Sequence, residues 1–216
     1  MKYKAIIFDL DGTLLDTLQD LANAINQGLK NLGFLQHPPE VIKYFVGEGR
    51  EVMAMRSLPE DHRDTVTLNK LVNDINKEYL EHWADNTAPY PGVPELLDTL
   101  AGSDIKMSIL SNKPREFTEL TVNKLLSHWH FDIVMGAMPS VPMKPDPAAA
   151  LNIAVQLNVS PVDFFYLGDS DTDMKTATAA GMFPAGATWG FRTEKELLAG
   201  GAKVLVHRPA DVLDLL

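Results

Sequence analysis

Residues 6–17, IIFDLDGTLLDT, begin as an apolar run and then place acids at positions 9, 11 and 16. The run predicts a buried strand, and Gly12 favours a turn directly after it. Asp9 and Asp11 lie two residues apart, so in extended backbone their side chains share a face. Burying carboxylates is costly unless a positive charge compensates them. The stretch therefore predicts either a turn that closes a strand or one edge of a chemical site.

The composition narrows the class of protein. The 216 residues are 45% hydrophobic and 22% charged, as in ordinary globular proteins. The absence of cysteine excludes disulfides and thiolate metal sites. The apolar runs are too short for a membrane span or a signal peptide, so we expect a cytoplasmic protein without a membrane partner. A monomer and a homodimer both stay open.

The charge balance argues against nucleic acid as a partner. The formal net charge is −10, whereas nucleic-acid binders usually present a basic face. An anionic substrate would be repelled by this overall charge. A local cation, either a side chain or a metal ion, would then have to attract it.

Six short segments predict strands, because they are rich in β-branched or aromatic residues and end at turn residues. Several are apolar on both faces, which is typical of a parallel sheet covered by helices on both sides. Helical patterns alternate with them, so the sequence predicts a doubly wound, mostly parallel α/β sheet. The predicted strands are residues 3–9, 106–112, 131–137, 163–169, 184–190 and 203–208.

Residues 16–86 break this alternation, since every periodic pattern in them is helical. Leu21, Ile25 and Leu29 form one apolar stripe, and a later stripe contains Leu71 and Ile75. Two short helices are predicted between them, on either side of a Gly-x-Gly turn. We expect a helical insert at 16–86, placed after the first strand of an α/β core formed by residues 1–15 and 87–216.

The first two predicted strands both end in polar side chains, and the carboxyl ends of parallel strands meet at one edge of a sheet. Asp9 and Asp11 follow the first strand. Ser111, Asn112 and Lys113 lie at the end of the second, and all three can donate hydrogen bonds to an anion. The alternative for Ser111 or Asn112 is an ordinary helix N-cap.

The third and fourth predicted strands add a cation and more acids. Lys144 lies between prolines in VPMKPDP, and this stiff frame would suit a fixed cation. Asp169, Asp171 and Asp173 precede a predicted helix, where capping and the helix dipole could explain one or two of them.

Together these groups point to phosphoryl chemistry. Crowded carboxylates repel one another unless a cation neutralises them, and Mg²⁺ is the usual hard cation beside phosphate groups. An ionised aspartate can attack a phosphoryl group. A second carboxylate nearby can protonate the leaving oxygen and later deprotonate water. Asp9 and Asp11 suit these two roles.

The segments FDLDGT, LSNK, KPDP and GDSDTD resemble, in order, the four motifs of the haloacid dehalogenase (HAD)-like hydrolase superfamily of phosphohydrolases. The resemblance extends over essentially the whole chain. It implies a Rossmann-like core with a mobile cap. It also implies Asp9 as nucleophile, Asp11 as general acid/base, and Ser111 and Lys144 as phosphoryl-binding groups.

The same resemblance implies a Mg²⁺ cofactor. Its ligands would be the Asp9 carboxylate, the backbone carbonyl of Asp11 and Asp169, and Asp173 would assist the metal site. Asp171 occupies a variable position and is given no role.

A narrower resemblance, to the phosphoglycolate phosphatases, comes from YFVGEGREVM, SNKPREF and GATWGF. The expected substrate-binding residues are Thr13, Gly49, Arg50, Asn112 and Lys113. The Arg50 guanidinium could hold a substrate carboxylate with two hydrogen bonds. A solvent-facing Arg50 is the alternative, since arginine is mostly exposed.

The expected activity is therefore Mg²⁺-dependent hydrolysis of a small phosphomonoester, 2-phosphoglycolate or a relative, through an aspartyl-phosphate. A phosphomutase acting on a sugar phosphate, similar to β-phosphoglucomutase, is the alternative. A non-catalytic regulatory protein on the same fold is a third possibility. Asp11 argues against dehalogenases and phosphonatases, which resemble this fold but depart from it at that position.

Overall fold

The computed structural model describes residues 2–216. Its central sheet has six parallel strands, which confirms the predicted doubly wound α/β class, and each predicted strand segment overlaps one of them. The strands in chain order are β1 (Ala5–Phe8), β2 (Leu15–Asp16), β3 (Ala88–Pro89), β4 (Lys106–Pro114), β5 (Ile133–Ala137), β6 (Phe164–Gly168), β7 (Phe183–Ala187) and β8 (Val204–Val206). The order across the sheet is β5-β4-β1-β6-β7-β8.

The helices fall where the apolar periodicity places them, with one addition. They are α1 (Leu18–Asn31), α2 (Pro39–Ile42), α3 (Arg50–Ser57), α4 (Thr65–His82), α5 (Val93–Ala101), α6 (Arg115–Leu125), α7 (Ala148–Leu157), α8 (Asp171–Ala179) and α9 (Glu194–Gly200). Helix α9 was not predicted. Its sequence signal is a capping box, in which Thr193 and Glu196 satisfy each other's backbone N–H groups.

Strand β1 lies at the centre of the sheet because both of its faces are apolar. Ile6 and Phe8 pack into the cluster beneath α5, and Ile7 packs on the opposite face with α7. All three side chains are fully buried. Each contributes about 1.5–3 kcal/mol relative to an exposed position. A strand with two apolar faces is stable only where helices cover the sheet on both sides.

The register of β1 brings three strand ends together. Phe8 pairs with Ile109 of β4 on one side and with Leu167 of β6 on the other. The order in which strands are added to the sheet also reverses at β1, because β4 and β5 lie on one side of it and β6 to β8 on the other. In open α/β sheets, ligands bind at the carboxyl ends of the strands beside such a reversal.

Residues 16–86, called the cap segment below, have a hydrophobic cluster of their own. The stripes of α1 and α4 meet there, and Leu21, Ile25, Leu29, Leu71 and Ile75 are all buried in it. Two phenylalanines from the sheet region, 117 and 191, join the same cluster. The cap segment is therefore packed against the sheet region. The division of the chain into core and cap at residues 16 and 86 stays a prediction.

The two chain crossings between sheet and cap segment run side by side. Leu15 pairs with Pro89 and Asp16 with Ala88, as a short antiparallel ladder of β2 and β3. The Asp16 carboxylate also accepts the N–H of Leu18, 3.3 Å away, at the start of α1. Two-residue strands leave no periodic pattern, so the sequence did not predict this ladder.

Candidate active site

Asp9 lies directly after β1, where the register just described places it among the ends of β4 and β6. Its backbone N–H donates to the Leu167 carbonyl, at 2.9 Å. Asp169 follows β6 and Ser111 lies near the end of β4. All three residues are buried. The sheet thus brings together the side chains that the sequence assigned to separate strand ends.

Asp9, Asp169 and Asp173 form a buried carboxylate cluster, with one oxygen of each lying within 4.8 Å of the others. Burial, followed by the charges of Asp173 and Asp169, raises the pKa of Asp9 well above its ordinary value. Burial together with the Asp173 charge raises the pKa of Asp169 to about 7. The three acids therefore share space that favours a positive charge among them.

Lys144 supplies one positive charge to this cluster. Its Nζ donates to Asp9 Oδ1 at 2.8 Å and to Asp173 Oδ1 at 2.6 Å, and also to the Leu110 carbonyl at 3.1 Å. Burial alone would lower the pKa of Lys144, but the Asp173 and Asp9 carboxylates outweigh it and raise the pKa well above its usual range. The predicted fixed cation is thus permanently charged and held against the predicted nucleophile.

Lys144 supplies one positive charge, so ionising all three buried carboxyl groups would leave the cluster with net negative charge. Its carboxylate oxygens are the ligands that hard divalent cations prefer. Gly12 brings backbone close to this cluster with φ +89°, and a Cβ there would lie 2.3 Å from Asp169 Oδ2. Only glycine therefore allows the backbone to lie this close to Asp169, and the carboxylate donor set fits a divalent metal ion. The cluster could therefore hold such an ion.

Asn112 fixes the loop that carries Lys144. The Lys144 N–H donates to Asn112 Oδ1, and Asn112 Nδ2 donates to the Lys144 carbonyl, each at 2.9 Å. The same Nδ2 also donates to the carbonyl of Gly47 in the cap segment, at 2.9 Å. The N-cap of α6 is Pro114, so the alternative of Ser111 or Asn112 as its N-cap is wrong.

Lys113 forms an ion pair with the second acid of the first motif. Its Nζ lies 3.0 and 3.2 Å from the two carboxylate oxygens of Asp11, and it donates to the Tyr79 hydroxyl at 2.7 Å. Burial alone would lower the pKa of Lys113, but Asp11 and Tyr79 raise it. The predicted anion donor thus contacts both the predicted general acid and a residue of α4.

The remaining predicted residues of the sheet region lie around the carboxylate cluster. Thr13 Oγ1 donates to Asp169 Oδ1 at 3.3 Å. Asp173 also accepts the Ser170 N–H, as part of a capping box at the start of α8. Asp171 instead forms an exposed ion pair with Lys175. Capping thus accounts for part of this acidic run, as the alternative held, but Asp173 contacts Lys144 as well.

In the cap segment, Arg50 and Gly49 line the same cleft as Asp9 and Lys144. Gly49 precedes α3 with φ +90°, and a Cβ there would lie 3.1 Å from Met143 Sδ. The Arg50 side chain is one-third exposed and pairs with Glu51 and, at 3.6 Å, with Glu116. Arg50 is therefore partly buried, and its guanidinium already pairs with two carboxylates.

Three further residues, none of them predicted from the sequence, link the cap segment to the sheet region. Tyr79 lies on the same face of α4 as Leu71 and Ile75, a pattern that indicates only a packing role. The Arg192 guanidinium donates to the carbonyls of Lys43 and Val46 and lies 5.5 Å from the Tyr44 ring centroid. No pattern around Arg192 indicates these contacts.

Asp20 of α1 is the third residue that links the cap segment to the sheet region, and it is almost fully buried. Its carboxylate accepts the backbone N–H groups of Asn86 and Thr87 and donors from both of their side chains, at 2.7–3.1 Å. It thus ties the start of α1 to the segment that leads back to the sheet. Asp20 lies on a different side of α1 from the stripe of Leu21, Ile25 and Leu29, so no sequence pattern indicated its burial.

The model of the haloacid dehalogenase-like hydrolases matches residues 6–187. A phosphoglycolate phosphatase from Nitrosospira multiformis is 34% identical over 199 residues, covering 90% of this chain and 87% of that protein. One from Aquifex aeolicus is 30% identical over 213 residues, covering 99% and 96%.

The fold comparison agrees with these matches. A crystal structure from Lactobacillus delbrueckii subsp. bulgaricus, described as a "putative phosphoglycolate phosphatase", has a TM-score of 0.94 at 30% identity, covering 100% of this chain and 98% of that one. Within residues 2–216, no helix has both the length and the apolar character needed to cross a bilayer. The family model, the relatives and the fold confirm the resemblance: the chain belongs to the haloacid dehalogenase-like hydrolase family.

Proposed function

We propose that this protein is a Mg²⁺-dependent phosphatase that hydrolyses a small phosphomonoester through an aspartyl-phosphate on Asp9. The observation that carries the proposal is the buried Asp9 carboxylate, held 2.8 Å from Lys144 beside two further carboxylates. Asp11, two residues along the chain, is mostly buried at the same strand end. The site thus offers a nucleophile, a fixed cation and a second acid within one cleft.

In the first step, an Asp9 oxygen attacks phosphorus and the bond from phosphorus to the leaving oxygen breaks. Asp11 gives its proton to that oxygen, so the product leaves as a neutral alcohol. In the second step, water attacks phosphorus of the aspartyl-phosphate, the bond from phosphorus to the Asp9 oxygen breaks, and Asp11 takes a proton from the attacking water. Phosphate is released, and Asp9 and protonated Asp11 are restored. Lys144 and Ser111 bind the phosphoryl oxygens throughout.

Mg²⁺ would be held by the Asp9 carboxylate, the Asp11 carbonyl and Asp169, with Asp173 assisting. When bound, it supplies positive charge that neutralises the carboxylates and the phosphoryl oxygens. The residues themselves favour such an ion, because the three carboxyl groups, once ionised, carry more negative charge than Lys144 offsets.

We further propose 2-phosphoglycolate or a similar small acid as the substrate. The curated relatives reported above are phosphoglycolate phosphatases, and their similarity spans nearly the whole chain. Arg50 lines the cleft and would exchange Glu51 and Glu116 for the substrate carboxylate. The roles of Thr13 and Gly49 in substrate binding stay predictions, as do a cytoplasmic location and a monomeric or homodimeric state.

The test is phosphate release, with Mg²⁺ present, from a panel containing 2-phosphoglycolate, sugar phosphates, nucleotides and pyrophosphate. We expect one small phosphomonoester to be strongly preferred. Isomerisation of a sugar phosphate without phosphate release would support the mutase instead. Inactivity on the whole panel and on a generic aryl phosphate would favour the regulatory alternative.

A second variant tests the carboxylate contact. Arg50→Ala should raise the KM for 2-phosphoglycolate at least about tenfold, since a charge-assisted pair is lost, and should leave the KM for an uncharged alkyl phosphate nearly unchanged. Arg56→Ala is the matched control, because Arg56 pairs with Glu48 in the same segment and does not line the cleft. Unchanged selectivity in Arg50→Ala would remove the clamp from the proposal.

A further inference from the structure

We propose that Lys113 and Tyr79 are positioning residues that align Asp11 for proton transfer only while the cap segment lies against the sheet. The inference rests on the proposed phosphatase function, and it assigns Lys113 to Asp11 rather than to the substrate. It makes contact with the cap segment a condition for general acid catalysis, and not merely a barrier to water.

The first support is how the donors of Lys113 are used. An ammonium group has three N–H donors. In Lys113 they are directed at Asp11 Oδ1 (3.0 Å), Asp11 Oδ2 (3.2 Å) and the Tyr79 hydroxyl (2.7 Å). None is left for a phosphoryl oxygen. Contact with both oxygens restrains rotation of the Asp11 carboxylate, whereas the carboxylate of an unpaired aspartate would rotate.

The second support is the origin of Tyr79, which lies on α4 in the cap segment, whereas Lys113 and Asp11 belong to the sheet region. The Tyr79 ring packs edge-on against Phe117, with centroids 5.2 Å apart, and lies 4.6 Å from Lys113 Nζ. Tyr79 and Lys113 are both buried. When the cap segment moves away, Lys113 therefore loses both a hydrogen bond and an aromatic face.

The third support is the geometry that a proton donor requires. A general acid acts only within hydrogen-bond reach of the leaving oxygen, so small changes in its orientation reduce the rate. The chain from Tyr79 through Lys113 to Asp11 makes that orientation depend on α4. When Tyr79 is withdrawn, the Lys113 ammonium can donate to other acceptors, and the Asp11 side chain can rotate away from the leaving group.

The decisive measurement uses leaving groups of different stability. An alkyl phosphate such as 2-phosphoglycolate needs its leaving oxygen protonated, whereas p-nitrophenyl phosphate releases a stable anion. Tyr79→Phe keeps the ring and removes only the hydroxyl. We expect kcat/KM for the alkyl phosphate to fall about fivefold to tenfold, and that for the aryl phosphate by less than about twofold.

Tyr44→Phe is the matched control, because it removes another tyrosine hydroxyl from the cap segment. The Tyr44 ring lies against Arg192, and its hydroxyl makes no hydrogen bond to Lys113 or Asp11. We expect Tyr44→Phe to change kcat/KM by no more than about twofold for either the alkyl or the aryl phosphate. Thermal melts of both variants should match the wild type, which separates a change in alignment from a loss of folded protein.

A double-mutant cycle provides a second readout. Lys113→Met should lower kcat/KM for the alkyl phosphate about 100-fold. In an Asp11→Asn background, Tyr79→Phe and Lys113→Met should have almost no further effect, because the group that they position is gone. Additive losses in that background would overturn the proposal.

Equal losses for alkyl and aryl phosphates in Tyr79→Phe would also overturn it, since they would indicate general damage to the site. These results are distinct from failure of the proposed function. Without phosphatase activity in the wild type, the proposed function fails first. With an active wild type and leaving-group-independent variants, only the positioning inference fails.

Discussion

Two regions of the molecule are assembled in different ways. The strand-end cluster consists of Asp9, Lys144, Asp169 and Asp173, residues that follow strands of one sheet. The cap interface consists of the contacts of Tyr79, Asn112 and Arg192 across the boundary between the cap segment and the sheet region. The first is held by the pairing of the sheet, whereas the second is held by a few hydrogen bonds and two aromatic contacts.

The difference separates chemistry from access. Changes at the strand-end cluster should remove the reaction or the metal, because no other group occupies the same place. Changes at the cap interface should alter rates and affinities by smaller factors, since each contact is one of several. Five predictions follow, from the largest expected effect to the smallest.

Asp9→Asn should lower kcat by about 10⁴-fold or more, because the amide cannot attack phosphorus. Single-turnover and steady-state phosphate release are the measurements, with circular dichroism to show that the variant is folded. Asp171→Asn is the matched control. It makes the same substitution at the exposed Asp171–Lys175 pair and should retain wild-type activity. Substantial turnover in Asp9→Asn would remove the nucleophile assignment.

Mg²⁺ binding should strengthen as pH rises towards 7. In the folded, metal-free protein, burial and the Asp173 charge raise the pKa of Asp169 from 3.8 to about 7, so below that pH the metal must displace a proton. Above it Asp169 is ionised, and no proton on Asp169 competes with the metal. Calorimetric titration with Mg²⁺ at about pH 5.5 and about pH 8 measures this difference.

The same shift sets the stability of the metal-free protein. A carboxyl with a raised folded-state pKa destabilises the fold increasingly as pH rises from 3.8 to about 7. This loss should be absent in Asp169→Asn, which should also need at least about 100-fold more Mg²⁺ for half-maximal activity. Melting temperatures of Asp169→Asn equal to those of the wild type at both about pH 5.5 and about pH 8 would contradict the raised pKa of Asp169.

Asp20→Asn should lower the free energy of unfolding by about 2–3 kcal/mol, because the buried donors of Asn86 and Thr87 lose carboxylate acceptors. Urea denaturation measures the change. Asp85→Asn is the control. It is the same substitution at an exposed position in the same segment and should stay within about 0.5 kcal/mol of the wild type. Equal effects of the two variants would show that the Asp20 contacts are not important for stability.

Arg192→Lys should have the smallest effect, a rise in KM of about threefold with kcat nearly unchanged. Lysine keeps the charge but cannot reach both the Lys43 and Val46 carbonyls in the same way, so the cap segment is held less firmly. Arg115→Lys is the matched control, since Arg115 pairs with Glu119 within α6. A large fall in kcat instead would place Arg192 in the chemistry rather than at the interface.

The same division explains what could be predicted from the sequence. Asp9 and Asp169 could be predicted to lie close together because each follows an apolar strand, and parallel pairing aligns those strand ends. Their proximity needs only local pattern and sheet geometry. Ser111 and Lys144 follow by the same argument from the neighbouring strands.

Contacts at the cap interface escape this reasoning. Lys113 and Tyr79 lie 34 positions apart, and Arg192 is about 150 positions from the carbonyls that it contacts. Their meeting depends on how the cap segment is placed against the sheet, which no periodicity specifies. Tyr79 also carries a misleading signal, because a tyrosine on an apolar helix face reads as a packing residue.

The ladder of Leu15–Asp16 with Ala88–Pro89 holds the two ends of the cap segment together, so a different segment could replace it without moving the sheet. Its two ends are already neighbours, so inserting a shorter or longer segment there adds little to the entropy lost in closing the loop. Joining Asp16 to Ala88 by a tight turn would leave a hairpin at the edge of the site. The sheet and its acids could then accept different segments above them, each admitting a different substrate to the same chemistry.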